Sequence, residues 1–361
     1  MMDLFDHNLT NLSVAITGQR TSGKSEIASA VYNHLSHRYG QIALDDVPVY
    51  CGQTSDHSLT IFDVPALRDS PDAFARCVSM ADLCVVILNP QQGLDEQVKE
   101  QILALHWLDI ENLYFAVCED EDIDPEQLNE FVQEIYDFIW GNSIDSEYFI
   151  LVVSTSNLDD IFDLPSNVKP PEENDHAGHE FRLDILAASG GETGNYTLWG
   201  KVKSGSASIG TKVELQANGH RHITHINKAG IFGRDTQMVK VGNFITLELA
   251  TDPDFLMEPG CILSSPDYLS YRSCFDRVSM VIFTKEETGE EIEIDHGQDL
   301  DICFGFGAIT AEIAFPHIGD NLGGGDSLVV RLSFSKPIPA ISDDQCLILH
   351  NRKIIGMGRI C

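Results

Sequence analysis

GQRTSGKS, residues 18–25, decides how the rest of the chain is read. It satisfies G-x-x-x-x-G-K-[ST] at every fixed position, follows the apolar run LSVAIT (12–17) and opens the helical stretch SEIASAVYNHLSHRYG (25–40). In that strand, loop and helix setting, the backbone N–H groups of Gly18, Gln19, Arg20, Thr21, Ser22 and Gly23 cradle phosphates. Lys24 reaches the outer phosphate oxygens, and the Ser25 hydroxyl is placed to ligate a magnesium ion. The alternative is a glycine turn that only starts a helix, because the motif also occurs by chance.

Outward from this loop two periodicities alternate. SLTIFDVP (58–65), ADLCVVILNP (81–90), NLYFAVCED (112–120) and YFILVVSTS (148–156) have strand character. LDEQVKEQILALHWLDI (94–110) and DPEQLNEFVQEIYDFIWG (124–141) are amphipathic helices, the second opening on a capping aspartate and a proline. Strands separated by helices predict an α/β domain over residues 1–165, with a mainly parallel sheet covered on both faces. LPSNVKPPEENDHAGHE (164–180) carries proline and charge without apolar periodicity, so 166–180 is read as a linker. Beyond it, short β-rich runs recur between glycine, asparagine and aspartate turns. They predict two antiparallel β-barrels, 181–268 and 269–361, with a break around SSPDYLSYRS.

Composition narrows the function classes. Lys and Arg number 23 against 56 Asp and Glu, a formal charge of −33 that repels phosphate backbones unless the few cations gather on one face. Adaptation to high salt explains the acidity equally well. The nine cysteines include no C-x-x-C pair and read as reduced thiols of a cytoplasmic protein. MMDLFDHNLTNL lacks a basic leader, and no apolar run approaches the roughly 18 residues of a membrane span, so no membrane association is expected. His220, His222 and His225 lie close in NGHRHITHINKAG. An H-x-H pair supplies at most two metal ligands, and a barrel hairpin is the preferred reading.

The segment IFDVPALRDSPDAFARCVSMADLCVVILNPQQGLDEQVKEQI (61–102) follows a known order: a D-x-P-G-H element, a helix, an apolar strand and a D-G-x-x-x-Q-T-x-E helix. In this it resembles the EF-Tu, elongation factor 1-alpha and SelB class of translational GTPases. TLWGKVKSGSASIGTKVEL is similar to that class's barrel signature, with Gly200, Val202, Gly205, Gly210 and Val213 on it, and CLILHNRKIIGMGRI to its closing strand pair. The likeness covers essentially the whole chain. Because the sequence stops with the third domain, it is read as nearest to a short archaeal SelB-like elongation factor, EF-Pyl-like, without the fourth domain by which SelB proteins dock.

The resemblance implies a P-loop GTPase-like domain followed by two barrels, binding GTP or GDP at residues 18–25. It implies magnesium held by Ser25 and Asp63, guanine contacts from Asp120, Ser154 and Thr155, and aminoacyl-tRNA and the ribosome as partners of a monomer. Asp63 also reads as a plain strand-end aspartate, and Ser154 and Thr155 as a plain turn. Three departures bear on chemistry. Ala66 and Leu67 replace the glycine and the water-positioning histidine, so intrinsic hydrolysis is expected to be weak or absent and no catalytic residue is assigned. Val117, Cys118, Glu119 and Asp120 stand where the class has N-K-x-D, which weakens guanine selectivity. The interval QIALDDVPVYCGQTSDH lacks the switch threonine, Thr54 being the nearest candidate.

Two groups of cations, Lys201, Lys203, Lys212, Arg221 and Lys228, then Arg331, Lys336, Arg352, Lys353 and Arg359, form either a positive strip for RNA or scattered surface charge. The leading expectation is an elongation-factor-like GTP-binding protein of aminoacyl-tRNA delivery or decoding. The alternatives are a non-hydrolysing protein-binding scaffold and a GTPase completed by a partner's catalytic group.

Overall fold

The structure is a computed structural model. It describes residues 9–361 apart from 20, 45–46, 119–122, 145–146, 154–160, 162–163, 165–167, 169–179, 191–193, 218–219, 252–256, 258–260, 269–271, 290, 318–320, 341 and 343. The first unit runs β1 (Thr10–Gly18), α1 (Lys24–His34), β2 (His37–Leu44), β3 (Val47–Gln53), β4 (His57–Asp63), α2 (Pro71–Ser79), β5 (Leu83–Leu88) and α3 (Glu96–Trp107). It continues through β6 (Asn112–Cys118), α4 (Pro125–Gly141) and β7 (Glu147–Val153). The seven strands lie in the order β2-β3-β4-β1-β5-β6-β7. From β4 to β7 neighbouring strands are parallel, and β2 and β3 are antiparallel additions at the β4 edge. The central strands are buried on both faces, as LCVVIL shows at every position, which is why they read as unbroken apolar runs. The Asp95 side chain caps α3 by accepting from the Val98 amide at 2.8 Å, and Asp124 caps α4 by accepting from Glu126 at 3.0 Å.

The helix predicted over 25–40 ends earlier, at His34. Leu35 turns extended (φ −60°, ψ 137°) and is buried, and HRYGQIAL pairs with VPVYCGQ instead of continuing the helix. Pairing with a distant strand overrides the local helical period here.

Next come β8 (Arg182–Gly190), β9 (Asn195–Ser204), β10 (Ser206–Ser208), β11 (Lys212–Ala217), β12 (His220–Ile231), β13 (Arg234–Thr236), β14 (Met238–Lys240), β15 (Phe244–Ala250) and β16 (Ile262–Ser264). The order β11-β16-β8-β9-β15-β12 closes on itself through β11 and β12, making a six-stranded barrel to which β13 is appended. Gly200 is required at the β8–β9 crossing, since a Cβ there would lie 2.1 Å from the Asp184 carbonyl oxygen. The last unit comprises β17 (Arg272–Ile282), α5 (Lys285–Thr288), β18 (Glu293–Asp295), β19 (Asp299–Phe304), β20 (Gly307–Ala314), β21 (Asn321–Gly323), β22 (Ser327–Ile338), β23 (Gln345–His350) and β24 (Lys353–Ile360). Its barrel closes in the order β17-β22-β20-β19-β23-β24. The expected α/β unit with two antiparallel barrels is thus the architecture found.

The three units share one apolar contact region. The core beneath β1, α2 and α3 takes in Leu186, Phe232 and Phe244 from the first barrel and Phe283, Leu347 and Ile354 from the second. Trp107 stacks on Phe283 with ring centroids 3.6 Å apart. Among the described residues no helix is long and apolar enough to cross a membrane.

Candidate nucleotide site

β1 delivers the phosphate loop to the C-terminal edge of the parallel sheet. Gly18 has φ 140°, and a Cβ at this position would stand 2.2 Å from the Ile87 carbonyl oxygen of β5, so only glycine fits. Gly23, in the left-handed region (φ 79°, ψ 15°), is the N-cap of α1 and brings no capping side chain. In contrast to α3 and α4, the first amides of α1 are left for an acceptor outside the helix, where the helix dipole adds partial positive charge.

The Gln19 side chain is buried and committed to the loop that follows β5. Its Nε2 donates to the Gly93 carbonyl at 2.6 Å, and its Oε1 accepts from the Asn89 amide at 3.0 Å. Its backbone alone remains for a phosphate. From the same loop Gln92 Nε2 donates to Thr21 Oγ1 at 2.5 Å, and Ser22 Oγ donates to the Gln19 carbonyl at 2.9 Å. Neither the Gln19 nor the Gln92 latch was visible in the sequence, because a glutamine in a phosphate loop looks like any tolerated x position.

Lys24 Nζ lies 3.8 Å from Asp63 Oδ1, and this buried oxygen has no hydrogen-bond partner. A buried carboxylate oxygen left unpaired is unfavourable unless something else binds there. Its place beside the phosphate-loop lysine fits a magnesium-linked aspartate, with Ser25 exposed in the first turn of α1 as the other residue of that set. At the end of β6, Cys118 Sγ is 3.7 Å from the Ser22 carbonyl, so the segment read as the base-recognition element does reach the loop. Arg20, Asp120, Ser154 and Thr155 lie outside the described residues.

The segment after Asp63 is fixed from two sides. Leu67 is 1% exposed and packs in the core with Ala73, Phe74 and Val78, presenting no polar group to the loop. Arg68 Nε donates to Glu100 Oε2 at 2.6 Å, and Glu100 Oε1 accepts from the Ile354 amide of β24, also at 2.6 Å. A sequence signal for this contact existed: Glu100, Leu103 and Trp107 recur at helical spacing and mark a second inward face on α3.

The Thr54 candidate is corrected. Its Oγ1 accepts from the His57 amide at 3.0 Å, which places it in the turn before β4. In the β1–β4 register His57 pairs with Thr10 and Asp63 with Ile16, so Thr54 lies past the far end of β4 from the loop, on the order of 20 Å away at about 3.3 Å per residue. Only residues 35 and 36 join α1 to β2, leaving no room for a switch segment there.

The positive strip is corrected in part as well. Lys201 is buried, donating to the Met80 carbonyl at 2.8 Å and to Asp82 Oδ1 at 2.6 Å. Lys203 donates to the Ser79 carbonyl, Arg221 is held by Glu214 and Asp267, Lys228 by Asp235 and Glu248, and Arg359 by Asp109. Lys201, Arg221, Lys228 and Arg359 thus neutralise the protein's own acids, and Lys203 is tied to a backbone carbonyl. A cleft of about 880 Å³ between the three units, lined by Asp82, Asp109, Arg182, Asp184, Asp344 and Arg359, is likewise mixed in charge. His220, His222 and His225 fall on β12, which forms a hairpin with β11, and among the described residues no cluster of three metal-ligating side chains occurs.

No protein-family model matches the chain. A selenocysteine-specific elongation factor of Desulfomicrobium baculatum is 21% identical over 354 residues, covering 95% of the chain and 52% of the relative, so the chain spans about half that protein's length. The translation elongation factor SelB of Methanococcus maripaludis, in its apo form, superposes with a TM-score of 0.78 at 14% identity, over 98% of this chain and 79% of that one. The same factor in complex with the GTP analogue GppNHp gives 0.75 at 14% identity, over 98% and 80%.

Proposed function

We propose, from the premise that the chain belongs to the EF-Tu/SelB class of translational GTPases, that it is an elongation-factor-like protein binding GTP or GDP with magnesium at residues 18–25 and Asp63. It turns the nucleotide over slowly or not at all and serves aminoacyl-tRNA delivery or decoding. The observation that carries this reading is the pairing of Lys24 with the otherwise unpartnered Asp63 Oδ1 at the uncapped N-terminus of α1.

In this reading the amides from Gly18 to Gly23 hold phosphate oxygens, Lys24 neutralises their charge, and Asp63 and Ser25 hold the metal. When bound, magnesium offsets negative charge between the outer phosphates. Leu67 neither donates nor accepts a hydrogen bond, so no side chain at that position orients an attacking water, and phosphoryl transfer loses its main source of rate, which is positioning. Val117 and Cys118 supply neither amide contacts nor a lysine stem to the base. Each lost contact weakens guanine preference by roughly 1–3 kcal/mol, or about one to two orders of magnitude.

A second reading, a protein-binding scaffold without turnover, is favoured by the two-residue join between α1 and β2 and by the burial of Leu67. Titration calorimetry with GTP, GDP and ATP, each with and without magnesium, separates the two. Magnesium-dependent binding of all three with weak guanine preference, lost in Lys24→Ala, is expected. No heat with any nucleotide leaves the scaffold, and tight, strictly guanine-specific binding overturns the assignment of Val117 to Asp120.

A further inference from the structure

Four of the nine exposed large apolar side chains among the described residues lie on two adjoining elements: Tyr136 (39% exposed) and Trp140 (78%) on α4, and Phe149 (51%) and Val152 (40%) on β7. Tyr136 meets Tyr148 edge-on at 6.3 Å, so α4 and Val152 share one face of β7, while Phe149 stacks on Tyr114 at 5.2 Å on the opposite face. Among the described residues β7 is the last strand of its sheet, with β6 as its neighbour. Exposed edges are ordinarily guarded by lysine, proline or brevity, and the seven-residue EYFILVV has neither residue. The flank is also strongly acidic. No Lys or Arg occurs between Lys99 and Lys169, and Glu126, Glu130, Glu134 and Asp137 are exposed along α4, with Lys99 of α3 lying 3.9 Å from Glu134.

We infer that the α4–β7 flank docks a basic protein segment, an extended strand alternating Lys or Arg with apolar residues, which adds to the edge of β7 and sets its cations along α4. The edge supplies backbone hydrogen bonds; Val152 and the Trp140 ring lie on the α4 face beside the stems of the cations, and Phe149 on the opposite face anchors the alternate apolar side chains. The acidity selects the occupant. A second copy of a chain carrying −33 brings the same acidic flank against itself, and a nucleic acid is repelled outright.

The test uses the full chain and labelled peptides as long as β7, one alternating Lys and Val, one Lys and Ser, one Glu and Val. Fluorescence anisotropy should show saturable binding of the Lys-Val peptide, about tenfold or more tighter than the other two, with slowed hydrogen exchange at β7 amides. Trp140→Ala and Phe149→Lys, each checked for an unchanged thermal melt, should weaken it about tenfold. Equal affinity for the Lys-Val and Lys-Ser peptides, unaltered binding by both variants, or protection away from β7 would overturn the inference. So would a concentration-dependent dimer that Phe149→Lys abolishes, which would make the occupant a second copy.

Discussion

Replacing Asp63 by alanine separates what the carboxylate does for folding from what it does for a ligand. Its side chain is 7% exposed, Oδ1 has no hydrogen-bond partner, and the nearest cation is Lys24 Nζ at 3.8 Å. An unsatisfied buried polar atom costs about 1–3 kcal/mol. An ion pair this long returns no more than about 1 kcal/mol, because Lys24 is partly solvated. Asp63→Ala should therefore stabilise the protein by about 1–2 kcal/mol when neither nucleotide nor magnesium is present. At about 2–4 °C per kcal/mol for a unit of this size, the melting temperature rises by several degrees. Thermal or urea unfolding in EDTA measures this directly. With magnesium and GTP at a hundredfold excess over Kd the parent gains about 2.7 kcal/mol by mass action, and the variant should lose most of that gain. The stability order of parent and variant then inverts between the two conditions. A variant less stable than the parent in EDTA, or one that gains as much from GTP and magnesium, would refute the reasoning.

Burial pulls the Lys201 ammonium down to about 8 despite Asp82, from 10.5 when solvated. Between these values the unfolded chain holds a proton that the folded chain does not, so stability should rise with pH by up to about 1.4 kcal/mol per unit. Lys201→Met should remove that rise, and the difference in unfolding free energy between parent and variant across this window checks it. Glu100→Ala leaves the Ile354 amide without its acceptor and Arg68 without its carboxylate, at a cost of about 1–3 kcal/mol. Limited proteolysis should then cleave the segments that meet at this contact, Arg68 to α3 and β24, more readily, whereas Glu100→Gln, which keeps an oxygen for Ile354, should resist. Leu67→His replaces a core leucine by a polar ring and should destabilise by about 2–5 kcal/mol without restoring phosphate release, as melting and a release assay would show.

The layout of the three units was legible because it rests on local signals. Apolar runs of strand length, the capping aspartate and proline of α4, and the turn-rich barrel strands each announce themselves within a few residues. The phosphate loop was legible for the same reason: Gly18 and Gly23 are demanded by backbone conformation at fixed spacing. What escaped was set by distant partners. HLSHRYG keeps a helical period but is claimed by β3, and Lys201 looks like a surface cation until Met80 and Asp82 close over it. Gln19 gains its role from the Asn89–Gly93 loop. No spacing rule encodes these contacts, since each joins segments that only the tertiary fold brings together.

The same contacts bear on how nucleotide could act. A ligand shifts a conformational equilibrium only by its differential affinity for the two states, and order–disorder switches need a segment that the outer phosphate alone holds in place. Between α1 and β2 there are two residues, one of them the buried Leu35, and the segment after Asp63 is pinned by Leu67 in the core and by Arg68 on Glu100. Glu100 in turn grips β24, so moving that segment means breaking an interdomain hydrogen bond as well as an ion pair. Phosphate contacts at Lys24, with magnesium held at Asp63, can stabilise this arrangement, but neither neighbouring segment is free to carry a γ-phosphate signal outward. In the proposed reading, bound nucleotide therefore acts on the stability of one domain arrangement rather than on a choice between two.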